Sequence, residues 1–330
     1  MYFVDNNNEH DPAINLALEE YVLRHSQPGE DLVLFYINEP SIIIGRHQNT
    51  IEEINADYVQ QHNLHVVRRL SGGGAVYHDL GNLNFSFITD YQADNFSNFR
   101  KFTEPVVRTL IKLGVNAEMS GRNDILVDER KVSGNAQYIS ASRMVSHGTL
   151  LFNSDLSHVA DALHVHENKF ASKAVKSVRS RVANISEFLP RPIEIEDFKK
   201  LLLDTYFEGS TEIRNLPLTN LDWNNVHALA DTRYRTWEWN YGKSPEFNIE
   251  KRQRFSGGEI IARLNVKGGV IQSIKFYGDY FSESTPEELE SLFTNLRFTR
   301  EELIRASKSI DINRFFNGMD QKTLIDFLLA

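Results

Sequence analysis

Apolar residues recur at helical spacing just after Asp11-Pro12, at Ile14, Leu18, Tyr21 and Val22. The pattern predicts a helix there, with Asp11 accepting from free N–H groups and Pro12 at the first helical position. Apolar runs then predict strands over 31–37, 41–44 and 65–70. A run of glycines follows, and strands are expected again over 75–78 and 82–89, with Gly81-Asn82 in the turn. A helix is expected over about 96–113, its second half started or kinked by Pro105, with Gly114 ending it. Residues 124–127 and 131–136 read as a hairpin across Asp128-Glu129-Arg130, and 144–152 as a further strand. Asp155, Glu194 and Asn220 are each expected to open a helix.

The pattern changes near Gly242. Gly242-Lys243-Ser244-Pro245 reads as a linker. Residues 252–255, 260–266 and 270–276 then alternate apolar with polar, joined by Gly257-Gly258 and Gly268-Gly269, which predicts a three-stranded meander with one wet face. Helices are expected from near Thr285, Thr299 and Asp320. Strands and helices mix without a βαβα rhythm, so the expected class is α+β. The expected division is a large mixed sheet-and-helix domain over 1–242, a linker over 243–252 and a small α+β C-terminal domain over 253–330.

Composition narrows the function. A chain of 330 residues with 41% hydrophobic and 25% charged positions suits a globular protein of one large and one smaller domain. A net charge of -9 argues against nonspecific binding to nucleic acid, though not against a local basic cleft. There are no cysteines, so thioester carriage, thiolate metal sites and disulfides are excluded. The N-terminus has no basic and apolar leader pattern, and no stretch reaches the length of a membrane span, so a cytoplasmic enzyme without membrane contact is expected.

Two stretches carry the candidate chemistry. Arg68-Arg69-Leu70-Ser71-Gly72-Gly73-Gly74-Ala75-Val76-Tyr77-His78-Asp79 sets two arginines and three glycines at a strand end. Glycines in series let backbone N–H groups approach an anion. The loop lies between strands and lacks a Gly-Lys-Ser/Thr ending, so it is neither a P-loop nor a dinucleotide fingerprint. Neighbouring strand residues face opposite sides, so one arginine is expected in the site. Arg69 is nearer the loop, and Arg68 is expected to be structural or exposed.

The second stretch is Lys131-Val132-Ser133-Gly134-Asn135. A lysine beside small residues suits charge building on phosphoryl and acyl oxygens. Together the stretches point to activation of a carboxylate by ATP. Asp124 either takes Mg²⁺ on the nucleotide phosphates or caps a turn. His147 either donates to a substrate or sits satisfied in the core. The basic segment 169–181 is either a solvated loop or a flap over phosphates.

These stretches, in order, resemble the lipoate–protein ligase A family over essentially the whole chain. The resemblance also rests on Asn15-Leu16-Ala17, Ile44-Gly45-Arg46-His47-Gln48-Asn49, Gly121-Arg122-Asn123-Asp124, His147-Gly148-Thr149-Leu150, Ser177-Val178-Arg179-Ser180-Arg181-Val182 and Trp237-Glu238-Trp239-Asn240. It implies a catalytic domain of the biotin/lipoate-ligase type with a small C-terminal lid. It implies that lipoate and MgATP give lipoyl-AMP, and that an acceptor lysine then takes the lipoyl group. Acceptors would be lipoyl domains of 2-oxoacid dehydrogenase E2 subunits or the glycine-cleavage H protein.

The family's ATP contacts fall on Arg69, Gly74, Ala75, Val76, Tyr77, Lys131, Lys173 and Arg179. Its lipoate contacts fall on Tyr36, Ser71, Gly72, Gly73, Gly74, His78, Lys131 and His147, with Lys131 the catalytic lysine. Tyr36 stands where the best-known member has tryptophan, which bears on acyl-chain preference. Three alternatives are weighed. An acyl transferase of the same superfamily needs a cysteine that this chain lacks. A biotin ligase would carry a Gly-Arg-Gly-Arg-type loop. A non-catalytic binder would have little use for Lys131.

Overall fold

The computed structural model describes residues 1–92, 96, 98–120, 123–163, 182–209, 212–241, 248–267 and 269–329. They form two units: one holds 1–44, 51–68 and 76–240, the other 45–50, 69–75 and 241–330. Both mix sheet and helix, as an α+β fold does.

The first unit is built on a seven-stranded sheet. Its strands are β1 (Tyr2–Val4), β2 (Leu32–Ile37), β6 (Asn82–Asp90), β7 (Ala117–Ser120), β8 (Asp124–Val127), β9 (Arg130–Ser140) and β10 (Arg143–Leu151), in the order β1-β2-β6-β10-β9-β8-β7. Only the β1/β2 pair is parallel. A second sheet sets β3 (Ser41–Ile44) between β4 (His65–Arg68) and β5 (Val76–His78).

Strand parity gives the large sheet two different faces. Val33, Phe35 and Ile37 of β2, Leu83 and Phe85 of β6 and Leu150 of β10 share a core with Val106 and Leu110 of the helix Phe99–Lys112 and with Phe198 and Leu202 of the helix Ile195–Tyr206. Burying each such side chain contributes roughly 1.5–3 kcal/mol. The alternate positions carry Tyr36, Asn84, Ser86, His147 and Ala136, joined by the register pairs Tyr36↔Asn84, Ser86↔His147 and His147↔Ala136. That face is polar yet buried. The helix Pro12–His25 helps to cover it, and is buried from Pro12 to Leu23. Its start follows the sequence: Asp11 accepts from the Ala13 N–H at 2.7 Å, and Pro12 is the first helical residue.

Several boundaries differ from expectation. The strand expected over 65–70 ends at Arg68, where the chain crosses into the other unit. β9 runs on to Ser140. Pro105 lies within a continuous helix that begins after Asn98. The helix expected at Asp155 starts at Ser157, with the Asp155 carboxylate accepting from the Ser157 N–H at 3.0 Å. β1, β7 and the helices Thr50–Glu53 and Ala56–Gln61 are too short to leave a period in the sequence.

The second unit contains an antiparallel meander, β11 (Ile249–Phe255), β12 (Gly258–Lys267) and β13 (Val270–Gly278). Leu264, Ile274 and Phe276 pack with Phe293, Leu303, Phe316 and Leu328, which lie on or near the helices Glu287–Phe293, Arg300–Ser307 and Gln321–Leu329. Among the described residues no helix is long and apolar enough to cross a membrane.

Candidate active site

Tyr36, Val76, Tyr77, His78, Asp124, Lys131 and His147 belong to the first unit, and Arg69, Ser71, Gly72, Gly73, Gly74 and Ala75 to the second. Lys173 and Arg179 lie outside the described residues.

In the first unit the buried face of the large sheet carries Tyr36 and His147. Register pairing explains why: each of β2, β6 and β10 places every second residue there. His147 Nδ1 lies 2.9 Å from Glu19 Oε2 and 3.0 Å from Oε1. The Ser86 hydroxyl donates to the same carboxylate. Glu19 is 1% exposed, so its oxygens rely on these donors rather than on water.

Four residues earlier on the same helix, Asn15 begins a second buried chain. Asn15 Nδ2 donates to Asn38 Oδ1 at 3.0 Å, and Asn38 Nδ2 donates to His78 Nδ1 at 3.0 Å. Residues four apart share a helix face, so one covering helix fixes both histidines. Tyr77 is also buried, and burial, with the Asp79 charge second, pushes its phenol up to about 12.

Lys131 reaches this face through a β-bulge. In a regular strand residues 131 and 134 would face opposite ways. The pairing instead runs Ile125↔Ser133 and then Leu126↔Lys131, leaving Val132 as the extra residue. Val132 turns into the helix-side core. The lysine side chain lies over Gly134, where a Cβ would be 2.9 Å from its Nζ. Gly134 stands two residues before Ala136, the partner of His147, so the ammonium shares the face of Tyr36 and His147.

Asp124 accepts the Lys131 ammonium at 2.8 Å. The two are about one-third exposed. Asn123 and Asn135 tie the neighbouring strands together: Asn135 Nδ2 donates to the Asn123 carbonyl at 2.9 Å, and Asn123 Nδ2 to the Asn135 carbonyl at 2.5 Å. Beside this point the Ala183 N–H donates to the Lys131 carbonyl at 3.0 Å.

The glycine loop is organised around Arg69. Its Nη2 donates to the carbonyls of Gly72 and Gly74, both at 2.8 Å, and its Nε to Ser71 Oγ at 3.0 Å. All peptide bonds here are trans. In a trans unit the N–H opposes the preceding C=O, so the amides of Gly73 and Ala75 point away from the guanidinium. Gly73 has φ +91°, which a β-carbon disfavours. Arg69 therefore shapes an amide cradle and neutralises its carbonyl side.

Arg68 is buried and structural. Its Nε donates to the Trp239 carbonyl at 2.9 Å, its Nη2 to the Asn240 carbonyl at 3.0 Å and its N–H to Asn240 Oδ1 at 2.9 Å.

Residue reasoning missed Glu19, Ser86 and Asn38. The signal available was Asn15 and Glu19, polar residues four apart on a helix whose other positions are largely apolar. Asp124, the one metal-ligand candidate of the sequence, is engaged by the Lys131 ammonium. Among the described residues no cluster of three or more His, Cys, Asp or Glu forms a metal site.

Residues 11–207 match the family described as the lipoyl protein ligase A/B catalytic domain, and residues 244–328 match the bacterial lipoate protein ligase C-terminus. The chain is 51% identical over 325 residues to lipoate–protein ligase 1 of Staphylococcus aureus (strain Mu50), covering 98% of this chain and 99% of that protein. Among solved structures it is similar to the bi-partite lipoate protein ligase of Thermoplasma acidophilum, solved as part of a lipoylation system with its E2 lipoyl domain. That likeness has a TM-score of 0.67 and 32% identity over 75% of this chain and 98% of the other. A lipoate–protein ligase A structure bound with ATP is similar at a TM-score of 0.63 and 30% identity, over 73% of this chain and 98% of that one.

Proposed function

The chain belongs to the lipoyl protein ligase A/B family, and from that premise we propose that it is an ATP-dependent lipoate–protein ligase. In the first step a lipoate carboxylate oxygen attacks the α-phosphorus of ATP, forming lipoyl-AMP and releasing pyrophosphate. In the second the amine of an acceptor lysine attacks the acyl carbon, forming an amide and releasing AMP and a proton. No enzyme nucleophile is needed, and the chain has no cysteine to serve as a thioester carrier.

The observation that carries this reading is the bulge that turns Lys131 onto the face bearing Tyr36 and His147. A preorganised ammonium there offsets charge on the carboxylate and on the α-phosphate as the anhydride forms. Asp124 holds that ammonium at 2.8 Å, ready to be exchanged for substrate oxygens. The cradle around Arg69 offers the Gly73 and Ala75 amides to an anion. Val76 and Tyr77 are assigned to the nucleotide, and Ser71 to Gly74 and His78 to the lipoyl group. Burial keeps the Tyr77 phenol protonated across the working range, so it acts as a neutral donor.

Tyr36 forms a wall for the acyl chain, and His147, held by Glu19, is a further lipoate contact. Mg²⁺ brought in on ATP would take Asp124 as one oxygen ligand and neutralise phosphate charge. The reading includes a catalytic region over 1–242, a linker over 243–252, a C-terminal lid over 253–330 and a cytoplasmic location. The acceptors are E2 lipoyl domains or the glycine-cleavage H protein.

The test is mass spectrometry of an isolated E2 lipoyl domain after incubation with lipoate, MgATP and this protein. The expected outcome is one lipoyl mass added at the acceptor lysine, lost when ATP is omitted. An unmodified acceptor under those conditions removes the ligase reading.

A further inference from the structure

Two loops of the second unit rest on one short stretch of its chain, residues 278–282. His47 is buried, and its ring lies flat on that of Tyr280, centroids 4.6 Å apart and planes 5° apart. His47 Nε2 is 2.8 Å from the Ser282 hydroxyl, and the His47 carbonyl accepts from the Gly278 N–H at 2.8 Å. The glycine loop meets the same stretch. A Cβ at Gly72 would lie 2.2 Å from the Tyr280 carbonyl oxygen, and one at Gly73 3.4 Å from the Phe281 ring. The two loops also lock to each other. The Arg46 N–H donates to the Ser71 carbonyl at 2.8 Å, and a Cβ at Gly45 would lie 1.9 Å from the Gly73 carbonyl oxygen.

The stretch beneath them is firmly held. Tyr280 is fully buried with its ring edge-on to Phe316 at 4.9 Å. The Asn317 N–H donates to the Phe281 carbonyl at 3.3 Å, and the Glu283 and Ser284 N–H groups donate to the Arg314 carbonyl at 2.7 and 2.9 Å. Gly72 and Gly45 are thus glycines for a reason other than ligand approach: Gly72 lets the loop sit in backbone contact with Tyr280, and Gly45 lets the 45–50 segment sit in backbone contact with Gly73.

We propose that His47 and residues 278–282 form a seat that fixes the glycine loop, and that they act as positioning residues for carboxylate activation. Three consecutive glycines lose much entropy on ordering. The seat imposes that order before substrate arrives, so ligand binding need not supply it. The 45–50 segment is then a bracket between loop and seat. The kinetic part of this proposal rests on the ligase reading, whereas the conformational part does not.

The experiment is hydrogen–deuterium exchange on the full chain without substrate, comparing the unaltered protein with His47→Ala and His47→Phe. His47→Ala is expected to speed exchange across 69–75 by about tenfold, with the peptides of 76–151 unchanged. His47→Phe keeps a ring on Tyr280 and is expected to restore most of the protection. If His47→Ala does not fold, Gly72→Ala replaces it, since its methyl group forces the loop off the Tyr280 carbonyl. In lipoate-dependent ATP–pyrophosphate exchange the loosened variant should raise the lipoate KM about tenfold while kcat changes much less, the pattern of lost preorganisation. Unchanged exchange at 69–75 in a folded variant, or a rise spread evenly along the chain, overturns the seat. Absence of pyrophosphate exchange in the unaltered protein counts against the ligase reading alone, because the deuterium comparison needs no substrate.

Discussion

Lys131 illustrates how little a residue's identity says without its neighbours. Its ammonium is held by Asp124 and lies over Gly134. Lys131→Ala removes one preorganised donor, and lipoate-dependent ATP–pyrophosphate exchange is expected to fall by about 100- to 1,000-fold with an unchanged circular dichroism spectrum. Near-normal exchange in that folded variant would take Lys131 out of the mechanism. Glu19 is the opposite case, a residue whose part is to hold others. Glu19→Ala leaves the Ser86 hydroxyl and His147 Nδ1 without their buried acceptor, at a cost on the order of 3 kcal/mol in denaturant unfolding. A midpoint within error of the unaltered protein would mean water replaces the carboxylate. The sequence carries a signal at Lys131, Arg69 and the glycines, because those types in series are hard to explain as packing. It gave none that Arg69 spends its donors on its own loop, since that depends on how the chain folds back.

Among the elements, the longer ones were legible and their ends less so. The helix Asn220–Leu229 opens with a reciprocal box, in which Asp222 accepts from Thr219 and from the Tyr21 hydroxyl, the latter at 2.6 Å. The Thr219 bond, ahead of that from Tyr21, holds the Asp222 carboxyl down at about 2. A depressed folded pKa means stability that is present above the unfolded value of about 3.9 and lost as pH falls toward 2. Asp222→Asn is therefore expected to melt at a lower temperature than the unaltered protein at pH 6, with the gap closing by pH 2. A gap of constant size across that range would show that the charge is not what matters. Capping of this kind is a local rule and can be read from Thr219 and Asp222 alone. The bulge at Val132 cannot. Nothing in Lys131-Val132-Ser133 breaks the strand pattern, and the extra residue appears only when β8 sets the register.

At the scale of the molecule, the chain's linear order and its spatial units do not coincide. Segments 45–50 and 69–75 belong with 241–330, although both lie far upstream. A chain cut after Asn240 keeps the large sheet and its helix-side core, yet its two loops lose Gly278, Tyr280 and Ser282 as partners. The expected result is a folded fragment by circular dichroism that cleaves readily within 69–75 on limited proteolysis. A fragment as resistant there as the full chain would mean that the loop orders itself. The α+β class, the C-terminal meander, the covering helix and the conformational freedom of the glycine loop were all determined by the sequence, because each follows from contacts or conformational preferences within a few residues. Which face Lys131 takes, that one helix fixes both His78 and His147, and which unit holds the glycine loop were decided only by the tertiary structure. Those outcomes depend on pairings between residues up to more than two hundred positions apart, and no local pattern encodes the register at which distant strands and loops meet.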